Sequence, residues 1–470
     1  MVRDLRTFLY ELEEKYPKKI LKIRREVSCK YEVTAIQKKL TDMGMSPVLL
    51  FENPITVQGL KSGFKLVTNL FADYGFCAEI LGIPRNKVAE SFLKRMSRRI
   101  DPEIVSSKEA PVKQVIEKDD INLYKFPVVV HYEKDPGPYI TAGFVTTYDP
   151  DTGIENTSIQ RLYVKAKDRL GYFAIRGSHN WRNIQKFWES GMDAPVAIWI
   201  GHHPSVIIAA QAKLGYPESH YSAASSIIGE PLRLVPTEIF KDKLFVPADA
   251  EIVIEGIIPR NKLEEEGPFG EYPGYYGTKT LSPVIECKSI TYRKDAIYHD
   301  IGPALPDHLI VDVFALEAQI YKTVKTVVPE LINVHVPISG CCRFHAYLQV
   351  RKTRPGVGKQ AILAALMSDI RLKHVFVFDE DINIFDEREV LWAIATRSQW
   401  DKDVIIIPNM PSDGLDPSIP PPGVVGCKGG IDCTKPLPEE FEGHEFPARC
   451  KVPDDVWAKI KLEDYIEEQD

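Results

Sequence analysis

Apolar residues recur along this chain with two different periods, and the changes from one to the other divide it. Leu5, Phe8, Leu9 and Leu12 fall at helical spacing within residues 4–15, and a second such series runs from Val33 to Met43 ahead of the extended VLLF at 48–51. Further helices are expected over 62–72 and 85–98. The Pro- and charge-bearing stretch from Asp101 to Asp120 then reads as a boundary. The opening therefore predicts an N-terminal α/β domain over residues 1–115.

From about 125 the texture turns to short β-rich runs, AGFVTTYD, VAIWIG, VIIAA, EIVIEGII and IECKSITY, punctuated by Gly, Pro and Asp. Such spacing predicts a barrel or sandwich, assigned to residues 116–305. In Glu251–Glu255 the alternation predicts a strand with Ile252 and Ile254 buried and most of the other face wet. Beyond Pro306 helices and strands alternate again, with a helix near 310–326, strands near 332–337 and 346–351, a helix at 357–370, the HVFVFD strand, another helix and VIIIP. That alternation implies a second α/β unit over 306–450. Residues 408–438 are rich in Pro and Gly and predict a long loop. The last stretch, 451–470, spaces Val456, Trp457, Ile460, Leu462 and Tyr465 amphipathically among acids. It is expected to form a tail helix that docks a partner subunit or packs on its own domain.

At 470 residues the chain exceeds one ordinary core. A formal net charge of −7 gives no electrostatic reason to expect nucleic acid, which is bound through clustered Lys and Arg, so a small or medium-sized ligand is the expectation. Eight scattered cysteines without CxxC spacing fit a reduced compartment. The N-terminus carries acids throughout and lacks an apolar run, and no segment reaches the ~20 apolar residues of a membrane span, so the expected location is cytoplasmic without membrane contact.

Three segments could carry chemistry. In EEEGPFGEYPGYYG at 264–277, Glu266 and Glu271 flank a Gly-Pro-Phe-Gly turn that could bring two carboxylates to one concave surface, as proton transfer requires. The bland reading is a solvated charge run at a strand end. In NTSIQRLYV at 156–164, Asn156, Ser158 and Arg161 offer an amide, a hydroxyl and a guanidinium. An extended run puts Arg161 on the opposite face from the other two, so a bend is needed to converge them, and the simpler reading is a polar edge strand. In IRGSHNW at 175–181, His179 is either structural or, with Asn156 and one carboxylate, a ligand to Mn2+ or Mg2+. GVGKQ at 356–360 lacks the spacing of a phosphate-binding loop. DEDIN at 379–383 caps the following helix or binds a cation.

Taken in order, DPGPYIT at 135–141, NTSIQR, GSH, EGPFGEYPGYYG, the DEDIN strand end and KGGIDCT at 428–434 resemble the UbiD family of decarboxylases along nearly the whole chain. The resemblance implies a mixed α/β and β multidomain fold: an N-terminal α/β domain, a central split β-barrel like that of flavin reductases, and a C-terminal α/β domain ending in an oligomerisation helix. It implies prenylated FMN made by a separate flavin prenyltransferase, with Mn2+ and a monovalent cation such as K+ at its phosphate, and a homodimer or higher homo-oligomer. Arg161, Glu266 and Glu271 match the family's Glu-Arg-Glu network, with Glu271 as proton donor. Asn156, Ser158, Ile159, Arg161, Ser178 and His179 match its cofactor-binding positions, and Lys373 resembles a lysine that reaches the flavin phosphate. Asn156 and His179 match two metal ligands. The third, a glutamate in the family, aligns with His220, and Glu218 two residues earlier is the alternative ligand. The loop at 301–309, His308 in particular, and the 408–427 loop could line the substrate side or serve as interdomain connections. The implied reaction is reversible, non-oxidative decarboxylation of an aromatic, heteroaromatic or α,β-unsaturated acid, or of an aryl-CoA thioester. The alternatives are a non-catalytic flavin-binding or assembly subunit of a multi-component carboxylase, or an ordinary FMN oxidoreductase. The latter lacks a GxGxxG motif after a strand.

Overall fold

The computed structural model describes residues 3–420 and 423–465. Helix Leu5–Lys15 opens the chain, capped by Asp4, whose carboxylate accepts the Thr7 N–H at 2.8 Å, and it buries the four apolar residues its spacing singled out. Strands Ile20–Ser28 and Val48–Ile55 pair in parallel, with helix Glu32–Asp42 in the crossover that parallel neighbours need. The helix expected over 62–72 is instead strand Lys65–Thr68, antiparallel to Leu49–Phe51. Its Leu66 and Val67 are both buried, so consecutive apolar residues here mark a strand covered on two faces rather than a helical stripe. The fourth strand of this sheet, Ile297–His299, comes from far along the sequence and pairs in parallel with Lys65–Val67.

The middle of the chain forms a ten-stranded sheet whose path runs 139–140, 162–166, 169–172, 280–292, 252–258, 194–200, 144–148, 155–159, with 263–266 and 115–117 paired onto 280–292. The sheet is not closed. Its terminal strand Glu155–Ile159 is nevertheless joined to Leu162–Ala166, next to the other end, by residues 160 and 161 alone. Three Cα steps span at most about 11 Å. The strip therefore has to curl until its two ends nearly meet, leaving a split barrel with Arg161 in the seam. The polar edge strand read at 156–164 is split: Glu155–Ile159 is the terminal strand of this path, and Leu162–Ala166 is a separate strand near its other end.

Two expectations for this unit fail. VIIAA is part of helix Pro204–Ala209, not a strand; Pro204 occupies its first turn, His203 accepts the Ser205 N–H at 3.1 Å, and every residue of the helix is buried. A short run that is apolar all round carries no period to separate helix from strand. Strand Ile252–Ile258 has no wet face. Glu251 beside it and Glu255 within it are fully buried, Glu251 between Arg6 and Arg293 and Glu255 against Lys113 and the N–H groups of Glu238 and Ile239. The two carboxylates are in place because cations and amides from neighbouring segments meet them.

Helices Pro306–Ile310 and Val313–Val327 lead into a five-stranded sheet ordered 331–335, 345–350, 374–379, 425–433, 404–411 and flanked by helices Val357–Leu366 and Glu387–Arg397. The long loop expected over 408–438 narrows to the connection between Val404–Pro411 and Val425–Cys433, which pair antiparallel. The glycines that hid the second strand are what admit its neighbours: a Cβ on Gly429 would run into the Ile405 carbonyl, and one on Gly430 into that of Val375. The expected tail helix is a single turn, Asp454–Trp457, followed by a 3₁₀ turn at Leu462–Asp464, with Trp457, Leu462 and Tyr465 exposed; its last residues, 466–470, lie outside the described residues. Among the described residues no helix is long and apolar enough to cross a membrane.

Arg293 joins the N-terminal helix to the barrel, 2.8 Å from Asp4 and 3.4 Å from Glu251. Replacing it with Met leaves Asp4 without a cation in the interior, while Glu251 keeps Arg6, and is expected to cost about 3–5 kcal/mol. Thermal denaturation should register a large fall in midpoint, whereas Arg351→Met, which breaks the exposed pair with Glu380, should move it little.

Candidate active site

The seam of the barrel supplies the bend that the sequence required. Strand Glu155–Ile159 ends, the Gln160 N–H turns to the Gly143 carbonyl at 3.0 Å, and Arg161 follows before the next strand begins. Its guanidinium is 8% exposed and donates Nε to Glu266 Oε1 at 3.0 Å and Nη2 to Oε2 at 2.6 Å, a two-pronged pairing that holds the plane of the group. The remaining nitrogen, Nη1, meets Glu271. Phe173 and Phe269 flank the guanidinium, their ring centres 3.8 and 5.0 Å away. Tyr139 packs on Phe269 at 4.4 Å, and its hydroxyl is pushed well up, first by burial and then by the charge of Glu266.

Glu266 and Glu271 reach the same guanidinium from one hairpin loop. Glu266 ends strand Leu263–Glu266, which pairs with Thr280–Pro283, and the intervening residues fold back on themselves. Within them the Gly277 N–H donates to Phe269 O and the Glu271 N–H to Tyr275 O, around the Pro273–Gly274 turn. Neither glutamate is solvated, so the surface charge-run reading is set aside. The segment DPGPYIT buttresses this loop. Asp135 accepts the Tyr132 N–H at 2.9 Å and the Gly270 N–H at 3.3 Å, and burial pushes its carboxyl up. The Tyr132 ring fills the space that a Cβ on Gly270 would need.

A second cluster is built around Asn180, which the sequence reading passed over inside GSHNW. Its Oδ1 accepts from Asn156 Nδ2 at 2.7 Å and from Thr147 Oγ1 at 2.8 Å, while its Nδ2 donates to Val145 O and Ser158 Oγ. Ser178 caps helix His179–Glu189 by accepting the Trp181 N–H at 3.3 Å. The His179 ring, on the first turn, lies 6.4 Å from that of His220, which opens helix His220–Ile228. Burial lowers both imidazoles, His220 to about 3, which favours the neutral ring with a lone pair to offer. Among the described residues the Nδ1 of His220 has no hydrogen-bond partner. Glu218 turns back to accept the Gly215 N–H at 2.8 Å, and Glu155, which the sequence reading also missed, orients this stretch by accepting from Ser219 Oγ and Tyr221 N. Among the described residues no group of three His, Cys, Asp or Glu could hold a metal. Two imidazoles and an amide fit a first-row transition ion better than Mg2+. Lys373 is tied to Asp416 at 2.8 Å and Ser418 at 2.6 Å.

A cavity of about 600 Å³ lies between the barrel and the C-terminal unit. Ile159, Arg161, Phe173, Phe269 and Glu271 line it on the barrel side; His308, Asp312, Arg343 and Arg371 line it on the other. Ile301, Pro303, Asp413 and Leu415 also line it, so the 301–309 and 408–427 loops do border it. Apolar walls with a few convergent polar groups are what a flat cofactor and a small acid require, and the buried Gln211 Nε2 in this wall has no partner among the described residues.

Comparison with known proteins covers the whole organisation. Three family models match in order: the 3-octaprenyl-4-hydroxybenzoate carboxy-lyase N-terminal domain over residues 13–96, its Rift-related domain over 103–306 and its C-terminal domain over 311–433. The anhydromevalonate phosphate decarboxylase of Methanosarcina mazei is 37% identical over 448 residues, 94% of this chain and 99% of that protein. Among solved structures, the UbiD-class enzyme HmfF from Pelotomaculum thermopropionicum in complex with FMN superposes with a TM-score of 0.89 at 39% identity, covering 98% of this chain and 100% of that one. An evolved dimeric form of HmfF in complex with prFMN gives 0.88 at 37%, covering 99% and 100%.

The packing of Gly270 on Tyr132 offers a test independent of any activity. Gly270→Ala overpacks the loop that carries Glu271 and is expected to cost about 1–3 kcal/mol. The check is a lowered thermal midpoint together with an altered near-ultraviolet signal from the tyrosines around the loop.

Proposed function

The chain belongs to the UbiD family of carboxy-lyases, and from that premise we propose that it removes a carboxyl group, reversibly and without net oxidation, from an unsaturated or aromatic acid with prenylated FMN in the cavity beside Arg161. The observation that carries this reading is the buried Glu266–Arg161–Glu271 arrangement on the cavity wall. When bound, the prenylated flavin supplies the electron sink that a departing carboxyl group needs.

The chain's own residues do the rest. Glu266 holds the guanidinium through two hydrogen bonds, so the charge faces the cavity in a fixed plane, which Lys could not reproduce. An incoming carboxylate competes with Glu271 for Nη1. Once displaced, Glu271 takes up a proton, and it delivers that proton to the carbon from which carbon dioxide has left. The phenylalanines on either side of Arg161 keep water from the cation and so strengthen its pull on the substrate.

For the cofactor's phosphate we assign Asn156, Ser158 and the start of helix His179–Glu189, where Ser178 and the free N–H groups favour an anion. Ile159 would pack against the flavin, and Lys373 would be available to its phosphate in place of Asp416. A divalent ion there would be held by Asn156, His179 and His220, with Glu218 as the alternative ligand, and a monovalent cation such as K+ accompanies it. The cofactor comes from a separate flavin prenyltransferase, and the enzyme works as a homo-oligomer, in keeping with a relative studied as a dimer. Anhydromevalonate phosphate, for which the Methanosarcina mazei relative is named, is the first substrate to test.

Two substitutions examine this reading. Glu271→Gln should lower turnover by about 10²–10⁴-fold, the usual contribution of a positioned proton donor, while leaving flavin occupancy intact. Undiminished turnover removes Glu271 from that role. His220→Ala should lower the divalent metal per chain measured by elemental analysis of the holoenzyme, and unchanged metal content transfers the ligand role to Glu218 or to solvent.

A further inference from the structure

The catalytic cavity holds more positive charge than the mechanism uses. Asp312 contacts Arg343 and lies 3.5 Å from Arg371 Nη1 and 3.8 Å from Lys213 Nζ. Asp369 is fully engaged by Arg371, whose Nε, Nη2 and main-chain N–H all donate to it at 2.7–2.9 Å. A further carboxylate of the lining, Asp413, accepts from Tyr272 Oη at 2.7 Å and the Leu415 N–H at 3.1 Å. Lys213 is left with one distant ion pair and, among the described residues, no hydrogen bond for its three donors. Two residues earlier, Gln211 Nε2 is buried in the same wall without an acceptor.

Lys213 Nζ and Gln211 Nε2 are donors that, among the described residues, have no hydrogen-bond acceptor. Arg343 is engaged by Asp312 and by the carbonyls of Leu309 and Cys342, so it braces the cluster. The Nη1 of Arg371 is only loosely held. An ammonium, an amide N–H and a guanidinium N–H around one space match the several strong acceptor oxygens of a phosphate monoester. A neutral or apolar substrate end would leave them desolvated and unpaired. Lys213 also borders a second hollow of about 740 Å³ between helices Val88–Met96, Val313–Val327 and Val357–Leu366, and Gln319 is shared between the two spaces. An ammonium between two cavities is well placed to draw in an anion.

Resting on the decarboxylase reading above, we propose that Lys213, Arg371 and Gln211 form a subsite for a phosphate monoester carried by the substrate, in the same cavity where Arg161 receives its carboxylate. The substrate is then an unsaturated acid bearing a phosphate, and Lys213 is the residue that separates it from plain acids. The flavin's own phosphate has the same chemistry, so the test has to tell the two apart.

The experiment compares holoenzyme loaded with prenylated FMN, as wild type and as Lys213→Met, Lys213→Arg and Gln211→Leu, on anhydromevalonate phosphate and on the same acid without its phosphate. Wild type should prefer the phosphorylated acid. Lys213→Met should lower kcat/KM for it by about 10–100-fold, mainly through KM, as loss of a charge-assisted contact predicts, and Lys213→Arg should recover part of the loss. Equal kcat/KM for the two acids in wild type overturns the subsite and leaves the decarboxylase reading standing. Loss of flavin from Lys213→Met also overturns it, by assigning the lysine to the cofactor's phosphate. If neither acid turns over, the decarboxylase reading is what fails. The subsite is then judged by calorimetry with the reduced, unreactive phosphorylated acid: binding to wild type that Lys213→Met loses supports it, and equal or absent binding overturns it.

Discussion

A guanidinium cannot be taken out of water unless acceptors meet it, and the architecture around Arg161 follows from that requirement. The two-residue seam brings it inside the barrel, one hairpin loop brings both carboxylates, and Phe173 and Phe269 close its faces. Because Glu266 takes two of the nitrogens, the third is the one through which the cavity can be sensed. The loop, in turn, depends on Asp135 and Tyr132 beneath it, so a segment some 130 residues earlier in the sequence determines where Glu271 points.

The same constraint explains which parts were legible beforehand. The helix at 5–15 and the strands at 345–350 and 374–379 were readable because one period ran through each. The segment at 204–209 and the strand at 65–68 were not, since burial on all sides erases the period that distinguishes helix from strand. Strand 425–433 was read as loop because its glycines answer to neighbouring carbonyls, which only the folded sheet supplies. At the site, Arg161, Glu266 and Glu271 stood in two compact motifs, and the need for a bend before Arg161 followed from strand geometry alone. Glu155, Lys213 and Arg371 stood in no such motif, and Asn180 was passed over inside one. They come from separate elements, and their roles arise from partners that sequence spacing does not reveal.

Buried carboxylates elsewhere obey the same rule with a different outcome. Glu251 and Glu255 interrupt an otherwise apolar strand, which suggested a solvated face, yet each is met by cations or amides from other segments. Charge in this protein marks places where distant parts of the chain are held together, as well as where chemistry is done.

The strand Ile297–His299 has a consequence for how the chain can be divided. It completes the N-terminal sheet from within the middle third of the sequence, alongside Lys65–Val67. A fragment ending near residue 115 would expose that edge, leaving its amides and carbonyls free to recruit any extended peptide at hand. The three matched regions are therefore stretches of inheritance rather than independent folding units. Neither recombination between relatives nor a laboratory truncation at those borders would yield a self-sufficient first piece, and a graft would have to carry residues 297–299 with it.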